Sequence, residues 1–387
     1  MADGIEALRQ GTPVWALGLM SGTSMDGVDA ALLLTDGARI LARGASRFAA
    51  FERVALRALP AVMEDPLRFA KGARAEDRAA LAGAEDEVVR LHARAVVDLL
   101  AGPAEAPALV AFPGQTVAHY PERRWTWQLG DGARLAAALN RPVVWDFRSE
   151  DIRQGGQGAP LAPFYHFAAL RAAGIAGPVA ILNIGGVANV TWVDPAAPAP
   201  EADGALAAFD TGPGNALLND WMRRTTGQPV DPDGSAAAAG RAHPDRIASN
   251  VVADYLARPG PKSLDRNAFA TLMARLEGLS TEDGAATLTA LTVACVAASR
   301  AHLPAPPVRW LVCGGGRKNR TMMAGLAARL SAPVEPVEVI GLDGDMLEAE
   351  AFAFLAARIV RGLPTSAPGT TGASAPVTGG RIARPPA

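Results

Sequence analysis

Three short stretches gather the residues that could handle a phosphorylated ligand. The first, Ser21-Gly22-Thr23-Ser24-Met25-Asp26-Gly27, sets small residues, hydroxyls and one carboxylate in a tight run. Small residues let backbone N–H groups approach an anion, hydroxyls add donors, and Asp26 could hold a magnesium ion that bridges phosphate oxygens. The same run also fits a tight turn whose polar groups satisfy only their own backbone. Gly185-Gly186 and Asp210-Thr211-Gly212-Pro213-Gly214-Asn215 offer a second and a third phosphate contact. Gly214 and Asn215 fall where a helix should start, and free N–H groups and the dipole favour anions there. Asp210 is the odd member, because a carboxylate opposes phosphate unless it carries a proton, meets a metal or acts as a base. A helix cap or a turn carboxylate is the alternative.

Two further stretches suit the rest of a ligand. Gly314-Gly315-Gly316 could let a flat base or ribose lie on bare backbone, or could serve close packing of strand on helix. The run Asp146 to Pro160 is denser in functional groups than a connector needs, and its amides, Asp146 and Arg148 suit a polyhydroxylated ligand. It also fits an interdomain crossing with surface ion pairs. His92, His119, His166, His243 and His302 share no spacing and read as structural or surface residues. Arg317, Lys318 and Arg320 read as a solvated charge run.

These groups need a frame. Strands are predicted at Val14–Leu19 and Val28–Leu34 around the first glycine turn, and at Val179–Ile184 and Val187–Val193 around the second. A helix over Ala84–Leu100 precedes a buried strand at Ala108–Phe112, with short strands at Trp125–Leu129 and Val143–Trp145. A strand at Ala205–Phe209 leads into the Asp210 loop and a helix at Ala216–Arg224. Later come a buried helix at Gly284–Ser299, a strand at Trp310–Val312 and a helix at Thr321–Leu330. Both halves open with strand, glycine turn and strand, an approximate duplication in pattern without a residue-level repeat. Pro195–Gly204 and Asp231–Gly240 read as surface loops. The Pro-, Gly-, Ser- and Thr-rich tail from Gly362 reads as a partly ordered terminal segment.

Composition bounds the rest. The 387 residues are 49% hydrophobic, and 37 basic against 39 acidic side chains leave a net charge of −2, so no broad positive field attracts nucleic acid or an anionic membrane. The lysines Lys71, Lys262 and Lys318 match no phosphate-loop pattern. Cys295 and Cys313 supply neither a disulfide framework nor a zinc site. The N-terminus lacks the order of a signal peptide, and the uncharged stretch Ala172–Val193 is broken by Gly, Pro and Asn, so a cytoplasmic protein is expected.

The ordered set GLMSGTSMDGVDA (Gly18 to Ala30), GQT (Gly114 to Thr116), DFRSEDIRQGGQGAPLAP (Asp146 to Pro163), LNIGGVANV (Leu182 to Val190), FDTGPGN (Phe209 to Asn215), PKSLDR (Pro261 to Arg266) and CGGG (Cys313 to Gly316) resembles the anhydro-N-acetylmuramic acid kinases of bacterial cell-wall recycling. These belong to the actin-like, sugar-kinase ATPase superfamily. The resemblance implies an α/β fold of two actin-like (ribonuclease H-like) domains, each a mixed sheet flanked by helices, with the active site in the cleft between them. The expected domains are 1–165 and 166–361, with the last helix packing back on the first and 362–387 as the terminal segment. The implied reaction uses ATP, Mg2+, water and 1,6-anhydro-N-acetylmuramic acid, and gives ADP and N-acetylmuramic acid 6-phosphate. It assigns Asp210 as the base for the attacking water. It assigns Gly22, Thr23, Ser24, Met25, Asp26, Gly27, Val28 and Asp29 to the ATP loop, with Asp26 on the metal through water. Gln115, Thr116, Asp146 and Arg148 become the sugar candidates together with Asp210, Glu348 faces nucleotide or hinge, and a homodimer is implied. One departure stands out: Phe112-Pro113-Gly114-Gln115-Thr116 replaces the family's Ser-His-Gly-Gln-Thr, so an imidazole is lost to a ring without an N–H donor. The histidine there either touches ligand or has a structural role that proline's fixed φ can replace.

Overall fold

The computed structural model describes residues 4–22, 25–51, 57–72, 74–264 and 268–386, and Thr23 and Ser24 of the first glycine run lie outside them, as do Asp265 and Arg266. The chain divides into two compact units, one of Met1–Ala172 with Met346–Ala387 and one of Ala173–Asp345.

The first unit holds β1 (Val14–Met20), β2 (Gly27–Thr35), β3 (Ile40–Ala50), β4 (Leu109–Phe112), a separate hairpin β5 (Gln115–Tyr120) and β6 (Trp125–Leu129), and β7 (Val143–Trp145). The second holds β8 (Val179–Ile184), β9 (Val187–Val193), β10 (Leu206–Pro213), β11 (Arg309–Cys313) and β12 (Val334–Pro336), and β13 (Arg381–Ala383) returns to the first. The main sheets run β13-β7-β4-β1-β2-β3 and β10-β9-β8-β11-β12. Each therefore contains the order third, second, first, fourth, fifth. In both, the first two pairings are antiparallel and the two crossover pairings parallel. The duplication suspected from the two glycine hairpins is thus one of topology, and each half is a ribonuclease H-like mixed sheet.

The central strands are apolar without interruption because both faces are covered, as in β4 (LVAF) and β11 (RWLVC), where all residues but Arg309 are buried. Edge strand β3 instead exposes Leu41 and Phe48. Helix Leu347–Val360 is rich in alanine, with Ala349, Ala353, Ala356 and Ala357 fully buried. It packs so closely on β1 that a Cβ at Gly18 would fall 1.8 Å from the Ala349 carbonyl oxygen. In the second unit, helix Thr281–Ser299 starts on a cap from Ser280 Oγ to the Asp283 N–H at 3.1 Å. The helical run Thr281–His302 is long and apolar enough to cross a membrane, but most of it is buried in the second unit's core.

Several expectations change. The units divide after Ala172 and after Asp345, not at the expected 165/166 and 361/362, because helix Pro163–Ala172 and helix Leu347–Val360 both pack within the first unit. The tail is folded: β13 joins the sheet, and Thr365, Ser366, Thr370 and Thr371 are buried. Asp231–Gly240 contains helix Ser235–Ala239, whose start is held by the buried Asp231 carboxylate accepting the Ala236 and Ala237 N–H groups at 2.8 and 3.0 Å. Strand β10 runs on through Asp210 to Pro213 with a bulge between Asp210 and Gly212, so the expected loop is strand.

Candidate active site

In the first unit the β1–β2 turn carries the first glycine run. Met25 takes a left-handed φ of 52°, its N–H donates to the Gly22 carbonyl at 3.2 Å, and Asp26 is exposed. Gly27 is fixed by packing, since a Cβ would meet the Ala49 carbonyl oxygen and the Phe48 ring at 2.5 Å. Val28 is buried in β2 and Asp29 half-buried. Gln115 braces this turn from below. It is fully buried, its carboxamide oxygen accepts from the Ser21 hydroxyl, and its Nε2 donates to the Gly22 carbonyl at 3.2 Å. Thr116, next on β5, accepts from Gln128 Nε2 at 3.3 Å instead. The two expected sugar contacts of this motif thus part, one to the glycine turn and one to the β5–β6 hairpin.

Asp146 and Arg148 follow β7. Asp146 sits in the left-handed region at φ 56°, accepts from the Ser149 hydroxyl and meets Arg381 Nε at 3.1 Å. Arg148 is half-buried and donates to the Gly158 carbonyl at 2.8 Å. Burial lowers its pKa, opposed by the charges of Glu348 and Asp151. Glu348 lies in the first turn of helix Leu347–Val360; desolvation raises its pKa and Arg148 lowers it. His119 belongs here too, although its spacing gave no sign of it. It lies 3.4 Å from where a Cβ on Gly158 would be, and burial first, then the Arg148 charge, lowers its pKa to about 4. A cavity of about 310 Å³ opens beside Asp146, lined also by Pro113, Gly114, Trp127, Gln128 and Trp145. Pro113 therefore lines a space large enough for part of a ligand.

In the second unit the glycines sort by what lies above them. A Cβ at Gly186 would meet only Ala216 Cβ at 3.8 Å, at Gly185 only the Val187 oxygen at 3.6 Å, and at Gly315 only Asn215 Nδ2 at 3.8 Å, so bare backbone is open there. At Gly212, Gly214, Gly314 and Gly316 a Cβ would collide with Cys295, the Gly185 carbonyl, Asn183 and Ile184 at 2.3–2.7 Å. These four are glycine for packing. The expected anion donors at the start of helix Ala216–Thr226 are also occupied: the N–H groups of Gly214, Asn215 and Ala216 donate to the Gly186, Gly185 and Gly186 carbonyls at 3.0, 2.7 and 3.1 Å. Arg317 is not solvated. Its buried guanidinium pairs with Glu338 and Asp345 at 2.8 Å and donates to the Gly314 carbonyl at 3.1 Å, clamping the triple-glycine turn. These contacts lower the Asp345 pKa to about 2.

Asp210 sits in a setting that strongly perturbs its carboxyl. It caps no helix, since Asn215 holds the cap position. Its N–H donates to the Lys262 carbonyl at 2.9 Å, its carbonyl accepts from the Tyr255 hydroxyl at 2.7 Å, and its Oδ2 accepts the Leu264 N–H at 2.7 Å. Oδ1 accepts nothing among the described residues. Desolvation raises the carboxyl to about 7, while the Leu264 N–H and the Lys262 charge pull it down. Lys262 is itself held by the Tyr255 and Arg258 carbonyls at 3.0 and 2.8 Å, over the Tyr255 ring at 4.5 Å. Lys262 and Leu264, which both bear on the Asp210 carboxylate, come from the PKSLDR motif.

No group of three or more His, Cys, Asp or Glu side chains suited to a metal occurs among the described residues. The exposed Asp26 carboxylate fits a magnesium ion that keeps most of its waters. The open backbone at Gly185, Gly186 and Gly315 fits a nucleotide laid against main chain.

A family model described as "Anhydro-N-acetylmuramic acid kinase" matches residues 14–385. Among proteins named Anhydro-N-acetylmuramic acid kinase, one from Cereibacter sphaeroides is 54% identical over 98% of this chain and 99% of its own. One from Rhodospirillum rubrum is 49% identical over 95% of this chain and 93% of its own. A protein of Jannaschia sp. named Anhydro-N-acetylmuramic acid kinase 1 is 52% identical over 96% of each chain.

Proposed function

Because this chain belongs to the anhydro-N-acetylmuramic acid kinase family, we propose that Asp210 is the general base of its reaction, which opens 1,6-anhydro-N-acetylmuramic acid with water and phosphorylates it from ATP. The observation that carries the assignment is the Asp210 carboxylate, which among the described residues is held by one backbone N–H on Oδ2, with Oδ1 left to accept a proton. A base with a pKa near 7 is half ionised at neutral pH and strong enough to take a proton from water as its oxygen bonds to carbon. In the step assigned to it, a water proton passes to Asp210 and the water oxygen bonds to C1. The C1–O6 bond breaks, O6 takes the γ-phosphoryl group, and ADP leaves. Asp210 then releases its proton to solvent.

Gly22, Met25, Asp26 and Gly27 with Val28 and Asp29 form the described part of the proposed nucleotide turn in the first unit. Gly185, Gly186 and Gly315 offer backbone in the second, while Gly212, Gly214, Asn215, Gly314 and Gly316 shape it. Mg2+, held at Asp26 through water, would neutralise charge on the transferring phosphoryl group. Asp146, Arg148 and Thr116 serve the sugar; Gln115 is assigned to holding the glycine turn, since both ends of its carboxamide are engaged there. The resemblance extends the proposal to a cytoplasmic homodimer, which light scattering on the purified protein tests. The direct test of the base is Asp210→Asn: ATP binding should persist, measured by calorimetry, while turnover is lost, and normal turnover would remove Asp210 from the mechanism.

A further inference from the structure

The C-terminal residues converge on the loop that carries Asp146. Strand β13 pairs antiparallel with β7, with Arg381 opposite Trp145. That register sets Arg381 Nε 3.1 Å from Asp146 Oδ2 and its guanidinium over the Trp145 ring at 5.5 Å. The other Asp146 oxygen accepts from Ser149. A second anchor lies deeper, at Asp151, which is 1% exposed. Its Oδ1 accepts from the hydroxyls of Ser366 and Thr371, the latter at 2.6 Å, and its Oδ2 accepts the Gly158 N–H at 2.6 Å. The Gln157 N–H also donates to the Thr371 carbonyl at 2.8 Å. Both ends of the stretch Asp146–Gly158 are therefore tied to the tail.

Asp146 needs such ties. A non-glycine residue at φ 56° occupies a minor backbone well and stays there only when its surroundings enforce it. Its carboxylate, at the wall of the cavity formed with Pro113, Trp127 and Trp145, points one way only while both oxygens are engaged. We propose that the segment from Thr365 to Ala383 is a strap that sets the sugar-binding loop, and that Arg381 is the positioning residue for Asp146. The proposal rests on the reading that Asp146 contacts the sugar. Arg381 is 67% exposed, and an ion pair that open adds little to fold stability, so its removal should act on the site without unfolding the chain.

The test measures KM for 1,6-anhydro-N-acetylmuramic acid, KM for ATP, kcat and Tm in the full chain with Arg381→Gln, Arg381→Lys and Asp146→Asn. The strap predicts that Arg381→Gln raises the sugar KM by about fivefold, the upper end for an exposed pair, with ATP KM, kcat and Tm unchanged. Arg381→Lys should restore most of the loss. If Asp146→Asn raises the sugar KM and Arg381→Gln does not, the strap is overturned while the reading of Asp146 stands. An unchanged sugar KM in Asp146→Asn overturns that reading, and the strap falls with it.

Discussion

At Asp210 desolvation outweighs one hydrogen bond and one nearby cation, and the carboxyl titrates near 7 instead of near 4. Two outcomes follow for Asp210. Since the ionised form is the base, kcat/KM should rise with pH through about 7 and level off above it, and Asp210→Asn should lower kcat by roughly 10²- to 10⁴-fold with that rise abolished. The second concerns folding. A carboxyl whose folded pKa lies above its unfolded value binds more protons when folded, so its contribution to stability falls as pH rises from about 4 to about 7. Asp210→Asn should therefore raise Tm at pH 8 and leave it unchanged at pH 3, as followed by thermal melts. For the proposed magnesium contact, Asp26→Asn should raise the magnesium concentration that gives half-maximal rate, read from a magnesium titration after chelation. Asp210 stood out in the sequence because a carboxylate is out of place among glycines that could bring backbone up to a phosphate. Its support did not: Tyr255, Lys262 and Leu264 lie 45 to 54 residues further on, and only the fold brings them under it.

Among the elements, hairpins and buried strands were readable because apolar runs bounded by glycine specify them; Val179–Ile184, Val187–Val193 and Trp125–Leu129 match residue for residue. Composition misled where tertiary contacts take over. The tail has the polar, proline-rich look of a free end, yet its hydroxyls meet the buried Asp151 carboxylate. The glycines looked alike in sequence and differ in what surrounds them. Gly214→Ala puts a Cβ 2.3 Å from the Gly185 carbonyl oxygen and should cost about 1–3 kcal/mol of stability, as overpacking does. Gly186→Ala meets only Ala216 Cβ, at an ordinary van der Waals distance of 3.8 Å, so its Tm should stay near the parent value while its KM for ATP rises. Melting curves and ATP kinetics on the pair separate packing from binding.

Over the whole molecule, two sheets of one topology carry different chemistry: the first unit supplies the turn braced by Gln115 and the loop strapped by Arg381, the second the open glycines and Asp210. The duplication was visible in the repeated strand, glycine turn, strand pattern, whereas the unit boundaries were not, because the chain returns to its first unit only at Met346. In the proposed reaction Asp210 drives water onto C1 while O6 is phosphorylated. Turnover of the anhydrosugar with ATP and magnesium in ¹⁸O-water, with unlabelled product incubated alongside to correct for exchange, tests it most directly. The parent protein should place one ¹⁸O at the anomeric carbon of a ring-opened 6-phosphate, and folded, ATP-binding Asp210→Asn should form that product roughly 10²- to 10⁴-fold more slowly. A phosphorylated product with the ring intact, or labelled product formed by Asp210→Asn at the parent rate, would contradict the proposed reaction.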